Sequence, residues 1–129
     1  MIGRIVTVNR HEIVGVVYGN HGTIKTFGTG KSVANFKLMT DTYAATADGN
    51  YERRSEYHNV QVWNSVYDDL YELIVEGNVV MIVGWCSQKM YFDKTAGYEK
   101  QFAYTLAKEC SLLVRAEYYL KSRKESENK

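Results

Sequence analysis

Proline is missing from all 129 residues, and no linker, internal repeat or low-complexity block interrupts the chain. That excludes a string of small units, and the length suits one domain. Two cysteines, Cys86 and Cys110, are too few for a disulfide framework. They read as small apolar residues of a reducing compartment. Three histidines, His11, His21 and His58, are scattered without metal-ligand spacing. No apolar run approaches the ~20 residues of a bilayer span, so no membrane partner is expected. The opening MIGRIVTVNR lacks the apolar core of a secretion signal and the composition of a transit peptide. The expected location is the cytoplasm of a bacterium or phage-infected host, or an organelle matrix if a targeting segment has been removed. No sign of charge dominates either: Lys and Arg number 16, Asp and Glu 15, for a net +1. This excludes the gross signature of a strongly basic nucleic-acid binder but leaves room for a local basic face. No nucleophile–base pair has motif support and no carboxylates cluster, so neither catalysis nor a cofactor or metal is expected.

What the chain does contain is hydrophobic residues at 45%, enough for a core, and aromatics at 13%, with 11 tyrosines. It also contains GTGKS at residues 28–32. A phosphate-cradling loop needs Gly, four residues, then Gly-Lys-Ser, opening a helix. Here the first glycine position is Lys25, and VANFKLMT after Ser32 alternates like a strand. Without a helix start there is no row of free N–H groups to hold phosphate. The run reads as a glycine turn feeding a strand, and an NTPase is set aside.

Along the chain, residues 3–19 are rich in Val and Ile and read as one long strand or two joined ones. Residues 20–32 are turn-like, and Val33 to Thr40 form the second strand. Asp48-Gly49 is a turn signal, and SEYHNVQVW at 55–63 is the third strand. The period then changes: Val66, Leu70, Leu73 and Ile74 recur at helical spacing, with Asn64 or Ser65 as cap and Gly77 as stop. VVMIVGWCSQKMYF is a fourth strand with Gly84 at a bend or bulge. DKTAGYEK is a hairpin tip, and QFAYTLAKE is the fifth strand. From Ser111 a short strand or an amphipathic helix fits equally, before a polar end. The predicted fold is all-β with one helix: an OB-fold, a five-stranded Greek-key barrel with the helix between strands three and four. Its domain is expected over 1–112, with a polar tail over 113–129.

The third strand carries the chemistry. His58, Val60 and Val62 share one face, while Tyr57, Asn59, Gln61 and Trp63 share the other. Aromatics on a polar face imply that another surface covers them. Spaced aromatics and amides suit single-stranded nucleic acid, because every base has a π-face. Cations flank aromatic sites: Arg53 and Arg54 before Tyr57, Lys89 and Lys94 around Tyr91, Lys31 and Lys37 around Phe36. The alternatives are a protein scaffold whose aromatics are buried between subunits, and an RNA-binding module, since stacking does not read the 2′-hydroxyl.

KSVANFKLMT, RSEYHNVQVW, YELIVEGNVVMIVG and MYFDKTAG, in this order, resemble the bacterial and mitochondrial single-stranded DNA-binding protein family, over residues 9 to about 110. The resemblance implies an OB-fold, sequence-tolerant binding of single-stranded DNA in replication, recombination or repair, and self-association, commonly as a tetramer. It places Tyr57, Trp63 and Tyr91 at stacking positions, with Tyr43 as a weaker match, and His58 near a subunit interface. Trp85 has no clear counterpart in the family pattern but joins the expected DNA-binding set. Ile13 and Val14, on the Val/Ile-rich first strand, are the expected self-association contacts. Bacterial members end in an acidic tail that recruits replication proteins. KSRKESENK is mixed in charge, which points to a phage, plasmid or organellar member and leaves replication proteins as a partner class implied only by the resemblance.

Overall fold

The computed structural model describes residues 7–19 and 22–117. Its elements are β1 (His11–Val17), β2 (Thr23–Thr26), β3 (Ser32–Ala45), β4 (Tyr51–Trp63), α1 (Leu70–Leu73), β5 (Val79–Asp93) and β6 (Tyr98–Val114). The sheet order is β1-β5-β6-β4-β3-β2, and β1 also pairs with β3 at Val16–Met39 and Val17–Leu38. That pairing closes β1, β3, β4, β5 and β6 into a barrel, with β2 added outside on β3. Among the described strands only β4 and β6 pair in parallel. The helix lies between β4 and β5, the third and fourth barrel strands, so this is the OB-fold.

Alternation along each strand fills the barrel. Ile13 and Val17, Phe36 and Leu38, Val60 and Val62, Val80 and Ile82 all point inward and are buried, with Leu70 and Leu73 of α1 plugging one end. At the bulge between Val83 and Gly84, a Cβ on Gly84 would stand 1.9 Å from the carbonyl oxygen of Leu106. Only glycine lets the two backbones approach this closely.

The structure corrects two expectations and bears on a choice left open. First, the 20–32 turn contains a strand: β2 pairs in register with β3 from Thr23–Asn35 to Thr26–Ser32. GTGKS is the tip of that hairpin. Phe27 N donates to Lys31 O at 2.8 Å and Gly30 N to Phe27 O at 3.0 Å, and Gly30 sits at φ +85°. These N–H groups are spent on the turn, and a strand follows Ser32.

Second, the helix is four residues long and is capped by Asp69, whose side chain accepts from Glu72 N. Asn64 cannot cap it because it is tied elsewhere. Its amide donates to Gly30 O at 3.1 Å and its backbone N–H to Ser32 O at 2.9 Å. Val66 and Tyr67 instead make a turn on Trp63 O and pack against the core. Asn78 closes the other end of the helix. Its buried amide donates to Glu72 O and Leu73 O, and its Oδ1 accepts from Ala116 N. Orphan helix carbonyls are thereby satisfied from a side chain.

Third, the open choice after Ser111 resolves as strand as far as Val114, with helical residues at Ala116 and Glu117 after it, and Ala116 is buried. The expected tail beyond 117 lies outside the described residues, as does the Val/Ile-rich start before residue 7.

Candidate nucleic-acid interface

The outward positions of the barrel gather the aromatics and amides. One row of laterally adjacent residues crosses five strands: Trp85 on β5, Leu106 on β6, Gln61 on β4, Asn35 on β3 and Thr23 on β2. Residues an even number of steps along the same strands share this face. They are Tyr57, Asn59 and Trp63 on β4, Lys37 on β3, Phe102 and Tyr104 on β6, and Lys89 and Tyr91 on β5.

Trp63 is half-buried at one end of this face. Its Nε1 donates to Gln61 Oε1 at 3.3 Å, and the ring of Phe27 stacks on it at 5.8 Å and 22°. Lys25 lies over Phe27, its Nζ 5.1 Å from the ring centre. Tyr57, exposed, tilts against Tyr18 at 4.6 Å. Trp85 carries Lys108 over its ring at 4.1 Å, a cation–π pair on the same outward side.

Two long hairpin arms extend the face beyond the barrel. On the β3–β4 arm Tyr43 stands opposite Arg53, and Tyr43 is exposed. Arg53 also approaches Asp41 at 3.9 Å. Arg54 pairs with Thr42 and therefore lies on the other side of the ribbon. The two arginines, adjacent in sequence, do not serve one surface. On the β5–β6 arm Lys89 faces Phe102, Tyr91 faces Lys100, and Asp93 faces Tyr98. Asp93 holds the arm's turn: its carboxylate accepts from Thr95 N and Ala96 N and meets Lys100 Nζ at 2.8 Å. The Lys100 bond first, then the Ala96 N–H, hold its carboxyl below the usual carboxylate range. Lys94 sits in that turn, and Lys31 at the exposed β2–β3 tip.

The expected self-association residues separate. Ile13 is withdrawn from that set, because its side chain is 3% exposed and fills the barrel's own core. Val14, one residue on, points outward and is 58% exposed. His58 is half-buried, on the same face of β4 as Val60 and Val62. Its Nε2 bonds Thr40 Oγ1 at 2.9 Å, and its ring meets the edge of His11 at 5.6 Å. His11 in turn bonds Thr105 Oγ1 at 2.7 Å. Burial first, and the neighbouring His58 second, push the His11 pKa below its ordinary value. Among the described residues no group of His, Cys, Asp or Glu is arranged to hold a metal ion.

A family model described as the single-strand binding protein family matches residues 8–113. The chain belongs to this family. A curated relative, single-stranded DNA-binding protein 1 of Chlorobaculum tepidum, is 27% identical over 93 residues, covering 72% of this chain and 57% of the relative. The chain thus spans just over half the length of the relative it matches. Among solved structures, a Plasmodium falciparum SSB complex with ssDNA superposes with a TM-score of 0.70 at 18% identity, over 87% of this chain and 98% of that one. A deletion mutant of the single-stranded DNA binding protein from Thermus aquaticus gives 0.68 at 14% identity, over 82% and 50% of the two chains. These two likenesses bear on the fold.

Sequence reasoning missed Phe27, Phe102 and Tyr104. Phe27 was hidden in a segment read as turn. Phe102 and Tyr104 lie in QFAYTLAKE, which was read as the fifth strand without assigning its faces. Thr105 and Ala107 face inward, and both are buried. The signal was the alternation itself, rings on every second residue opposite small ones.

Proposed function

We propose that the chain is a non-catalytic binder of single-stranded DNA that tolerates many sequences. The observation that supports this reading most directly is the continuous outward row of Trp85, Gln61 and Asn35, flanked by Trp63, Tyr57, Phe102 and Tyr91. Bases stack on the rings at about 1–3 kcal/mol each, without demand on sequence. Lys37, Lys89 and Arg53 share the face with the rings and meet phosphates, while Lys31 and Lys94 lie at the tips of two hairpins. Arg54 is placed to meet a strand only where it wraps around the β3–β4 arm. Each phosphate neutralised releases counterions, so affinity falls steeply with salt. Titration with poly(dT) at two salt concentrations, followed by tryptophan fluorescence, tests the reading. Saturable quenching that weakens with salt is expected. Binding that ignores salt, or no binding, would sink it and favour a protein scaffold.

The protein also assembles with itself, as a tetramer. Val14 stands beside Met81 on β5, and Val16 and Val79 continue the outward apolar strip. In a lone protomer that strip faces water. Val14→Glu is expected to lower the mass seen by light scattering; an unchanged mass in a folded variant refutes this surface. Replication, recombination and repair all expose the single strands such a protein would cover.

A further inference from the structure

Alongside α1, three clefts adjoin one another and share Glu72. The largest of the three holds about 680 Å³, within the ~300–1,000 Å³ of ligand-sized sites. Leu112, Leu113 and Val114 of β6 give it an apolar side, together with Tyr67. The register of β6 on β5 slips here: Val80 pairs with Leu112 and Val79 with Val114. Leu113 is the extra residue of that bulge and stands 51% exposed. Val75, in the second cleft, is also exposed. A contiguous apolar surface of this kind marks a place where something docks.

The rim is acidic. Asp68, Asp69, Glu72 and Glu117 line the three clefts. Among the described residues Arg115 is the only cation in the lining, and Glu72 holds it at 2.9 Å. Burial first, and the Glu72 carboxylate second, push the Tyr67 pKa above its ordinary value. The groove therefore suits an occupant with large apolar side chains next to positive charge.

The chain carries such a stretch at the groove itself. Glu117, the last described residue, lines the second cleft. After it come Tyr118, Tyr119 and Leu120, then Lys121, Ser122, Arg123 and Lys124. The path is short: Arg115, two residues before Glu117, already meets Glu72, and Glu72 shares the third cleft with Asp68. Seven extended residues reach up to about 25 Å, which is ample.

We propose that residues 118–124 dock on their own domain, in the groove between α1 and the end of β6. The apolar side chains of 118–120 cover Leu112 and Leu113, and the cations of 121–124 meet the Asp68 and Glu72 rim. The stretch after the barrel is then bound to the domain, where the sequence suggested only a polar tail.

The test uses the 129-residue protein. A carbodiimide joins a carboxylate to an amine in contact with it, forming an amide with loss of water. The expected product links Lys121 or Lys124 to Asp68, Asp69 or Glu72, in protein that runs as a monomer on a denaturing gel. Limited trypsin digestion reads the same contact independently. Cleavage after Arg123 should be about tenfold faster in Leu113→Ser and in Leu120→Ser than in wild type, because proteolysis tracks the open population and burying one leucine is worth about that factor. The double variant should be no faster than either single one, since both remove one contact. Leu113 is exposed, and circular dichroism confirms that its variant is folded. Equal cleavage rates in wild type and both variants overturn the proposal. So does a link found only in a dimer band, which would give the groove to a second copy.

Discussion

Trp63→Ala is the sharpest test of the interface. Trp63 sits at the end of β4 with one ring face against Phe27, its N–H on Gln61 and its remaining surface outward. Losing one stacked base costs about 1–3 kcal/mol, which is roughly 5- to 150-fold in Kd. The substitution also removes an aromatic pair worth about 0.5–1.5 kcal/mol to the fold. That is small against the ~5–15 kcal/mol of an ordinary domain, and Trp63 is absent from the buried core cluster. The variant should therefore stay folded and bind poly(dT) more weakly. Trp85 remains as the fluorescent reporter, and anisotropy of a labelled oligonucleotide gives a second readout. Trp63→Phe keeps a π-face and should recover most of the loss. Wild-type affinity in folded, correctly assembled Trp63→Ala protein would refute the stacking role.

Three further outcomes follow from single contacts. Gly84→Ala places a Cβ against the Leu106 carbonyl at 1.9 Å and should destabilise the fold by about 3 kcal/mol or more; an unchanged urea midpoint would refute the tight bulge. Lys31→Ala, at an exposed hairpin tip, should lower DNA affinity slightly for all sequences and reduce the salt slope by no more than about one contact; magnesium-dependent ATP binding abolished by the same change would overturn the turn reading. His11 is held below its ordinary pKa in the folded protein, so the unfolded chain takes up the proton first, near pH ~6.5. Its contribution to stability is then fully present above that pH and is lost as pH falls toward the folded value. Denaturation midpoints measured across that window should decline in wild type and flatten in His11→Gln, and an NMR titration of His11 at or above the ordinary value would refute the burial argument.

Much of the fold was legible because strand alternation and turn chemistry are local. The inward set of Val60 and Val62, the β3 positions Phe36 and Leu38, the turn at Asp48-Gly49 and the special role of Gly84 need only neighbours in sequence. The helix was overread because Val66, Leu70, Leu73 and Ile74 do recur at helical spacing. A distant partner, the β2–β3 hairpin, takes Asn64 away from capping. The short strand β2 was missed because four mostly polar residues carry no periodic signal; its register comes from β3.

The candidate site divides in the same way. The sequence alone placed Tyr57, Asn59, Gln61 and Trp63 on one face, because that follows from a period of two within a single strand. It also settled that GTGKS leads into a strand. Only the tertiary structure decided what those residues meet. Barrel closure brings β6 beside β4, which sets Phe102 and Tyr104 next to Asn59, more than forty residues away in sequence. It also turns Phe27 onto Trp63, sends Arg54 to the far side of the arm from Arg53, and buries Ile13 while leaving Val14 exposed. Which side of a strand a residue takes is a local matter. What lies across from that side depends on register and closure, and those are set by the packing of the whole core.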